Sequence, residues 1–199
     1  ICFDGGGSTT AVATLPDDSS VSLLNLPSDN SERAVTNALF LVSNEEATGR
    51  ADQVYLDIEN PYVLAGSTVT LRTALLDTGY YPMSEEVELS AEAGTVSGYT
   101  FTAPEKGGTV RITASAGRES ASLDVEVVDR PDELCLLNGS TEITSLSVQP
   151  GGSVDLTASA YYNHLQLTSA DTDFTWTVSD GIGTVDENGV FTAAQLSGS

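Results

Sequence analysis

The chain has 199 residues, 40% of them hydrophobic, which is enough to pack one to three domains and too apolar for a disordered tail. Its 29 acidic residues against 7 basic ones leave a formal net charge of -22, a field that repels nucleic acid and anionic lipid and disfavours either as a partner. A single histidine, His164, and two cysteines, Cys2 and Cys135, fit no His-based metal centre, no Ser-His-Asp triad and no small disulfide framework, so neither a metal nor a cofactor is expected.

Residues 1–46 read as one unit. Ile1 to Phe3 is apolar, like the end of a buried strand, and Gly5, Gly6 and Gly7 follow as a turn. Thr9 to Leu15 and Val21 to Leu26 are β-prone and flank the turn Pro16-Asp17-Asp18-Ser19-Ser20, which predicts a hairpin. Ala34 to Val42 is apolar and fits strand or helix, since periodicity does not separate the two in so short a run. Asn44 to Asp52 is polar, contains Gly49, and reads as a linker.

Residues 53–129 form the second unit. Val54, Leu56 and Ile58 alternate with polar residues until Pro61 breaks the run. Val69, Leu71, Thr73 and Leu75 alternate next, then Val87 and Leu89. Phe101 sits in a short strand, followed by Val110, Ile112 and Ala114, and by Leu123, Val125 and Val127. Short alternating strands separated by Gly and Pro turns predict an antiparallel Ig-like β-sandwich.

Residues 134–199 repeat this pattern. Ala65-Gly66-Ser67-Thr68-Val69-Thr70-Leu71 matches Pro150-Gly151-Gly152-Ser153-Val154-Asp155-Leu156, Ala93-Gly94-Thr95-Val96 matches Ile182-Gly183-Thr184-Val185, and Phe101-Thr102-Ala103 matches Phe191-Thr192-Ala193. Trp176 stands in Phe174-Thr175-Trp176-Thr177-Val178, where a core aromatic would anchor the sheets. Two strands that close the first copy, Val110 to Ser115 and Ser122 to Val127, have no counterpart in the second. The second sandwich is therefore expected to be incomplete, with the native chain running past Ser199. The loop acids Asp171, Asp173, Asp180, Asp186 and Glu187 lack EF-hand spacing and read as solvated turns. The pairs Tyr80-Tyr81 and Tyr161-Tyr162 read as packing at sandwich edges.

Chemistry is concentrated in Phe3-Asp4-Gly5-Gly6-Gly7-Ser8-Thr9-Thr10. Three consecutive glycines after an apolar strand let backbone N–H groups converge on an anion, and phosphate is the usual guest of such a nest. Asp4 would sit beside it as a general acid or base, and Ser8 and Thr9 could donate to a phosphate or a sugar. By physics alone the simpler reading is a tight glycine turn with solvated Asp4 and Ser8; no Lys-Ser or Lys-Thr follows, so it is not a P-loop.

Asp4-Gly5-Gly6-Gly7-Ser8-Thr9-Thr10 resembles the signature of the phosphodiester glycosidase family, which includes the lysosomal uncovering enzyme and many bacterial surface proteins. Downstream, Asn25-Leu26-Pro27-Ser28-Asp29, Glu32-Arg33-Ala34-Val35 and Asn37-Ala38-Leu39 resemble the family's closing segment, with Leu26 where the family usually has Arg. The resemblance covers residues 1 to about 43. It implies hydrolysis of a sugar-1-phosphodiester, typically of N-acetylglucosamine, with a glycan or sugar phosphodiester as partner. Asp4 would then be the catalytic or substrate-orienting carboxylate, with Gly5, Gly6, Gly7, Ser8 and Thr9 binding substrate, while Arg33 would either offset the anionic phosphate or make a structural pair with Glu32 or Asp29. Glycosidase chemistry ordinarily needs a second acid. Its place is expected upstream of Ile1, so this segment alone is expected to be inactive.

The expected fold class is mainly β. A partial α/β catalytic-domain remnant (1–46) is followed by two tandem Ig-like β-sandwiches (53–129 and 134–199), the second truncated. The alternative is a non-catalytic Ig-like stalk, adhesion or carbohydrate-binding protein, similar to tandem modules of bacterial surface proteins. Either reading implies an extracellular or cell-surface location and no membrane insertion by this segment.

Overall fold

The computed structural model describes residues 9–25, 27–28, 31–34, 38–42 and 44–195. Alternation of β-branched and aromatic residues with polar ones produces the strands, because successive side chains of a strand point to opposite faces. In chain order they are β1 (Val12–Thr14), β2 (Val21–Leu23), β3 (Ala51–Ile58), β4 (Tyr62–Leu64), β5 (Thr68–Asp77), β6 (Glu88–Ala91), β7 (Thr95–Ser97) and β8 (Thr100–Thr102). They continue as β9 (Gly108–Ala116), β10 (Glu119–Val128), β11 (Glu133–Asn138), β12 (Thr141–Glu142), β13 (Ser153–Tyr162), β14 (Leu165–Gln166), β15 (Gly183–Val185) and β16 (Val190–Ala193). Among the described residues the sole helical turn is a 3-10 turn at Asp171–Asp173. The fold is thus mainly β.

Two four-stranded sheets have the orders β4-β10-β9-β6 and β3-β5-β8-β7, and a third runs β12-β11-β13-β16-β15 with β14 beside β13. The chain divides into two compact units, one made of Ile1–Leu56, Arg72–Glu88 and Ala114–Ala121, the other of Asp57–Leu71, Leu89–Thr113 and Ser122–Ser199.

In the first unit, β1 and β2 form the predicted hairpin, with Val12 opposite Leu23 and Thr14 opposite Val21. Asp18 closes its turn by accepting from the Ser20 amide and hydroxyl and from the Ser22 hydroxyl. Arg72 on β5 holds Asp17 of the same turn through two parallel bonds of 2.6 and 2.8 Å. Residues 38–42, which fitted either strand or helix, are neither, and Leu39 to Val42 are exposed. Positions 35–37 lie outside the described residues. Val54, Leu75, Leu76 and Ala114 are buried.

The segment read as a linker is anchored. Asp77 is 2% exposed, and its carboxylate accepts the amides of Tyr81 and Gly79 on one oxygen and those of Gly49 and Thr48 on the other. Tyr81 donates its hydroxyl to the Glu45 carbonyl, and the Thr48 and Thr78 hydroxyls meet at 2.7 Å. Composition marks 44–50 as polar, but a buried carboxylate must find donors, and these amides supply them. The four amides, that of Tyr81 foremost, stabilise the ionised form against the opposing effect of burial and hold the Asp77 carboxyl far below the usual carboxylate range.

In the second unit the inward residues of the first repeat are sealed. Val63, Leu71, Phe101, Ile112, Val125 and Val127 are each 2% exposed or less. The internal repeat holds in three dimensions, down to strand register. Val69 lies opposite Phe101 and Thr68 opposite Thr102; Val154 lies opposite Phe191 and Ser153 opposite Thr192. Val96 opposite Phe101 has its counterpart in Val185 opposite Phe191. Gly94 and Gly183 play the same role: a Cβ at either would strike the carbonyl of Thr102 or Thr192 and the ring of Phe101 or Phe191.

Candidate functional site

Asp4, Gly5, Gly6, Gly7 and Ser8 lie outside the described residues, as do Cys2 and Leu26. Of the motif-derived site residues, Thr9 and Arg33 are described, and both are exposed. One side chain links Thr9 and Ala11 to Asn25. Asn25, at the start of the closing segment, donates to the Thr9 carbonyl at 2.9 Å and accepts the Ala11 amide at 2.6 Å. The residues just after the glycine stretch are thereby held against the Asn25 turn, a pairing fourteen to sixteen positions long in sequence that local patterning does not reveal.

The loop acids act as backbone acceptors. Asp171 accepts the Ala158 amide, and Asp186 accepts the Asn188 and Val190 amides. No group of three or more potential metal ligands occurs among the described residues. Cys135 is a free thiol, half-buried on β11; burial, followed by the nearby charges of Glu142 and Glu133, pushes its pKa up and keeps it protonated. His164 is exposed and, with Asn163, forms the two-residue turn between β13 and β14; both have positive φ, the geometry that suits a tight hairpin. The tyrosine pairs are not equivalent: Tyr80-Tyr81 lies in the loop after β5, whereas Tyr161-Tyr162 ends β13.

The most heavily built feature is a joint inside the second unit, where β4 and the β4–β5 turn of the first repeat meet residues 166–174 of the second. Val63 bridges Thr168 in parallel: the Leu64 amide donates to the Thr168 carbonyl at 3.0 Å and the Thr168 amide to the Tyr62 carbonyl at 2.8 Å. The Asn60 side chain donates to the Gln166 carbonyl at 2.8 Å. Ser67, wholly buried, donates its hydroxyl to Asp173 at 2.6 Å, and Asp173 also accepts the Ala170 amide at 2.7 Å. Beneath these bonds, Leu64, Val128, Ala160 and Leu167 form an apolar cluster with Tyr62 and Phe174 packed against it.

Beside the joint is an open hollow lined by Pro61, Tyr62, Thr109, Asp124, Glu126 and Tyr162. Its carboxylates are already engaged. Arg111 grips Asp124 with two bonds of 2.8 and 3.0 Å, which keeps that carboxyl below its ordinary range, and Glu126 accepts the Thr109 hydroxyl at 2.9 Å. Neither acid stands free for general acid or base work. Sequence reasoning missed both joint and hollow, because Asn60, Ser67 and Asp173 look like ordinary turn residues until the fold brings them together.

The fold is mainly β, with several sheets and a strand register that recurs in the second half of the chain. No family model and no curated protein sequence matches the chain. Among solved structures the chain is similar to domains 5-6 of the S-layer protein SbsC, at 15% identity and a TM-score of 0.40, covering 73% of this chain and 84% of that one. The Yersinia pseudotuberculosis adhesin InvE is similar at 15% identity and a TM-score of 0.36, covering 76% of this chain and 54% of the adhesin. No described helix is long and apolar enough to cross a membrane.

Proposed function

We propose that this chain is a stalk segment of an extracellular, cell-surface protein, in which the repeats at 53–129 and 134–199 serve as successive spacer modules. The observation that carries this reading is the joint. A flexible linker would leave tandem modules to swing, whereas here a two-way backbone bridge, two side-chain bonds and a buried apolar cluster tie the repeats together. The strong negative charge suits a solvated surface spacer. Amide exchange tests it. The Leu64 and Thr168 amides should exchange as slowly as amides within β9 and β10; exchange at the rate of an open loop would remove the reading.

A second reading is carried by the sequence motif Asp4–Thr10. In it, the full-length protein is a phosphodiester glycosidase, with Asp4 as catalytic carboxylate and Gly5, Gly6, Gly7, Ser8, Thr9 and Arg33 around the substrate. The test is Asp4→Ala in the full-length protein: sugar release from a sugar-1-phosphodiester should vanish, and unchanged release would exclude the assignment.

A further inference from the structure

Val110 and Ile112 on β9 and Val125 and Val127 on β10 are buried, so the residues alternating with them stand on the opposite face of the sheet. There they pair across the two strands, Thr109 with Glu126, Arg111 with Asp124 and Thr113 with Ser122. Tyr62 on β4 is the register partner of Glu126, so Tyr62, Glu126 and Thr109 form one row across three strands. Two residues further along, the row of Leu64 and Val128 is buried in the joint beside Ala160 and Leu167 of the second repeat. The joint thus ends in a step, with one row of the face covered and the next open.

The hollow beside the joint occupies this step and has a volume of about 390 Å³, within the range of small-ligand sites. Tyr62 lines it from the first repeat and Tyr162 from the second. A further hollow of about 230 Å³ shares Glu126 and Tyr162 and continues past Gly107 and Gly108 to Asp129 and Arg130, so the two together make an elongated groove. Charge restricts what fits. A cation beside Asp124 meets Arg111, whose guanidinium already bonds both Asp124 oxygens, and further along it meets Arg130. An anion meets Asp124, Glu126 and Asp129 in a chain of net charge -22. A neutral ligand rich in hydroxyls incurs neither repulsion. Its C–H faces suit the tyrosine rings, and its hydroxyls suit carboxylates that Arg111 and Thr109 already hold in place, so little side-chain freedom is lost on binding.

We propose that this groove binds a neutral oligosaccharide, with Tyr62 and Tyr162 against the sugar rings and Asp124 and Glu126 accepting their hydroxyls. Tyr162 comes from one repeat and the other named residues from the other, so the site is complete only while the joint is closed. Both carboxylates are engaged as acceptors, which makes this a binding site rather than a hydrolytic one. The proposal goes beyond the spacer reading and stands without it, since a module pair that binds sugar need not be part of a stalk.

The experiment is saturation-transfer NMR on the 199-residue chain with linear tetrasaccharides of glucose, mannose, galactose and N-acetylglucosamine. At least one should bind, with its affinity falling about tenfold in Tyr162→Ala and about fivefold in Glu126→Gln. Thr113→Ala, on the same sheet face but outside the groove, should bind as wild type does. Exchange of the Leu64 and Thr168 amides, read in each variant, reports whether the joint stays closed; where Tyr162→Ala opens it, Glu126→Gln carries the comparison. Failure of every tetrasaccharide to bind overturns the proposal, and so does binding that neither variant weakens. A tetralysine peptide that binds more tightly than every sugar and is released by high salt also overturns it, because the groove is then a site for a cationic peptide.

Discussion

Phe101→Ala and its repeat counterpart Phe191→Ala form a matched pair in which only enclosure differs. Phe101 is wholly buried between Val69 and Val96 on neighbouring strands. Truncating it removes roughly 150 Å² of aromatic surface, which at ~25 cal/mol per Å² is about 4 kcal/mol, within the range found for Phe→Ala in well-packed cores. That is a large part of the ~5–15 kcal/mol that stabilises a typical domain. Phe191 has the same register, between Val154 and Val185, but is only half-buried. Part of its surface is already in water, so Phe191→Ala should cost less by about 1 kcal/mol. Urea-dependent hydrogen exchange, read separately on β8 to β10 and on β13 to β16, measures each cost where it arises. Equal costs for the two, or a Phe101→Ala cost below about 1.5 kcal/mol, would refute the claim that Phe101 is the more fully enclosed of the pair.

Three further outcomes are expected. Asp77 has its carboxyl depressed in the folded state, so its contribution is complete above the unfolded value near pH 4 and fades as the pH falls below it. Acid melts should thus show wild type losing stability below about pH 4; Asp77→Asn should be less stable at pH 7 and less sensitive across that acid window, and an unchanged acid limb would rule out the clasp. Leu167→Ala, at a joint residue 2% exposed, should cost about 2–5 kcal/mol and speed exchange of the Thr168 amide, read by mass spectrometry. Gly94→Ala should destabilise the first repeat by more than about 1 kcal/mol in urea melts, because Gly94 has φ +77° and the added Cβ would strike the Thr102 carbonyl.

Most of the strand pattern was legible because β-structure writes itself locally. Val69-Thr70-Leu71 and Val110-Arg111-Ile112 alternate with a period of two, and each became a strand with its apolar side inward. The repeat was legible for the same reason, since Gly66, Gly94 and Phe101 recur in the same order and at approximately the same spacing as Gly151, Gly183 and Phe191. Ala34 to Val42 misled because apolar residues signal burial only where a partner surface exists, and Leu39 to Val42 are exposed. The acids misled in the other direction: Asp173 read as a solvated turn, yet it accepts the buried Ser67 hydroxyl, and Asp77, which carried no local signal, gathers four backbone amides.

By itself, then, the sequence determined the class of fold, the positions of most strands and the internal repeat of motifs, because these follow from side-chain alternation and turn chemistry within a few residues. The tertiary structure alone decided that the polar stretch 44–50 is clasped by Asp77 and that Asn60, Ser67 and Asp173 help form a joint. Those features pair groups up to 106 positions apart. A donor and an acceptor at such separation carry no local signal of each other, and only the folded backbone brings them within hydrogen-bonding distance.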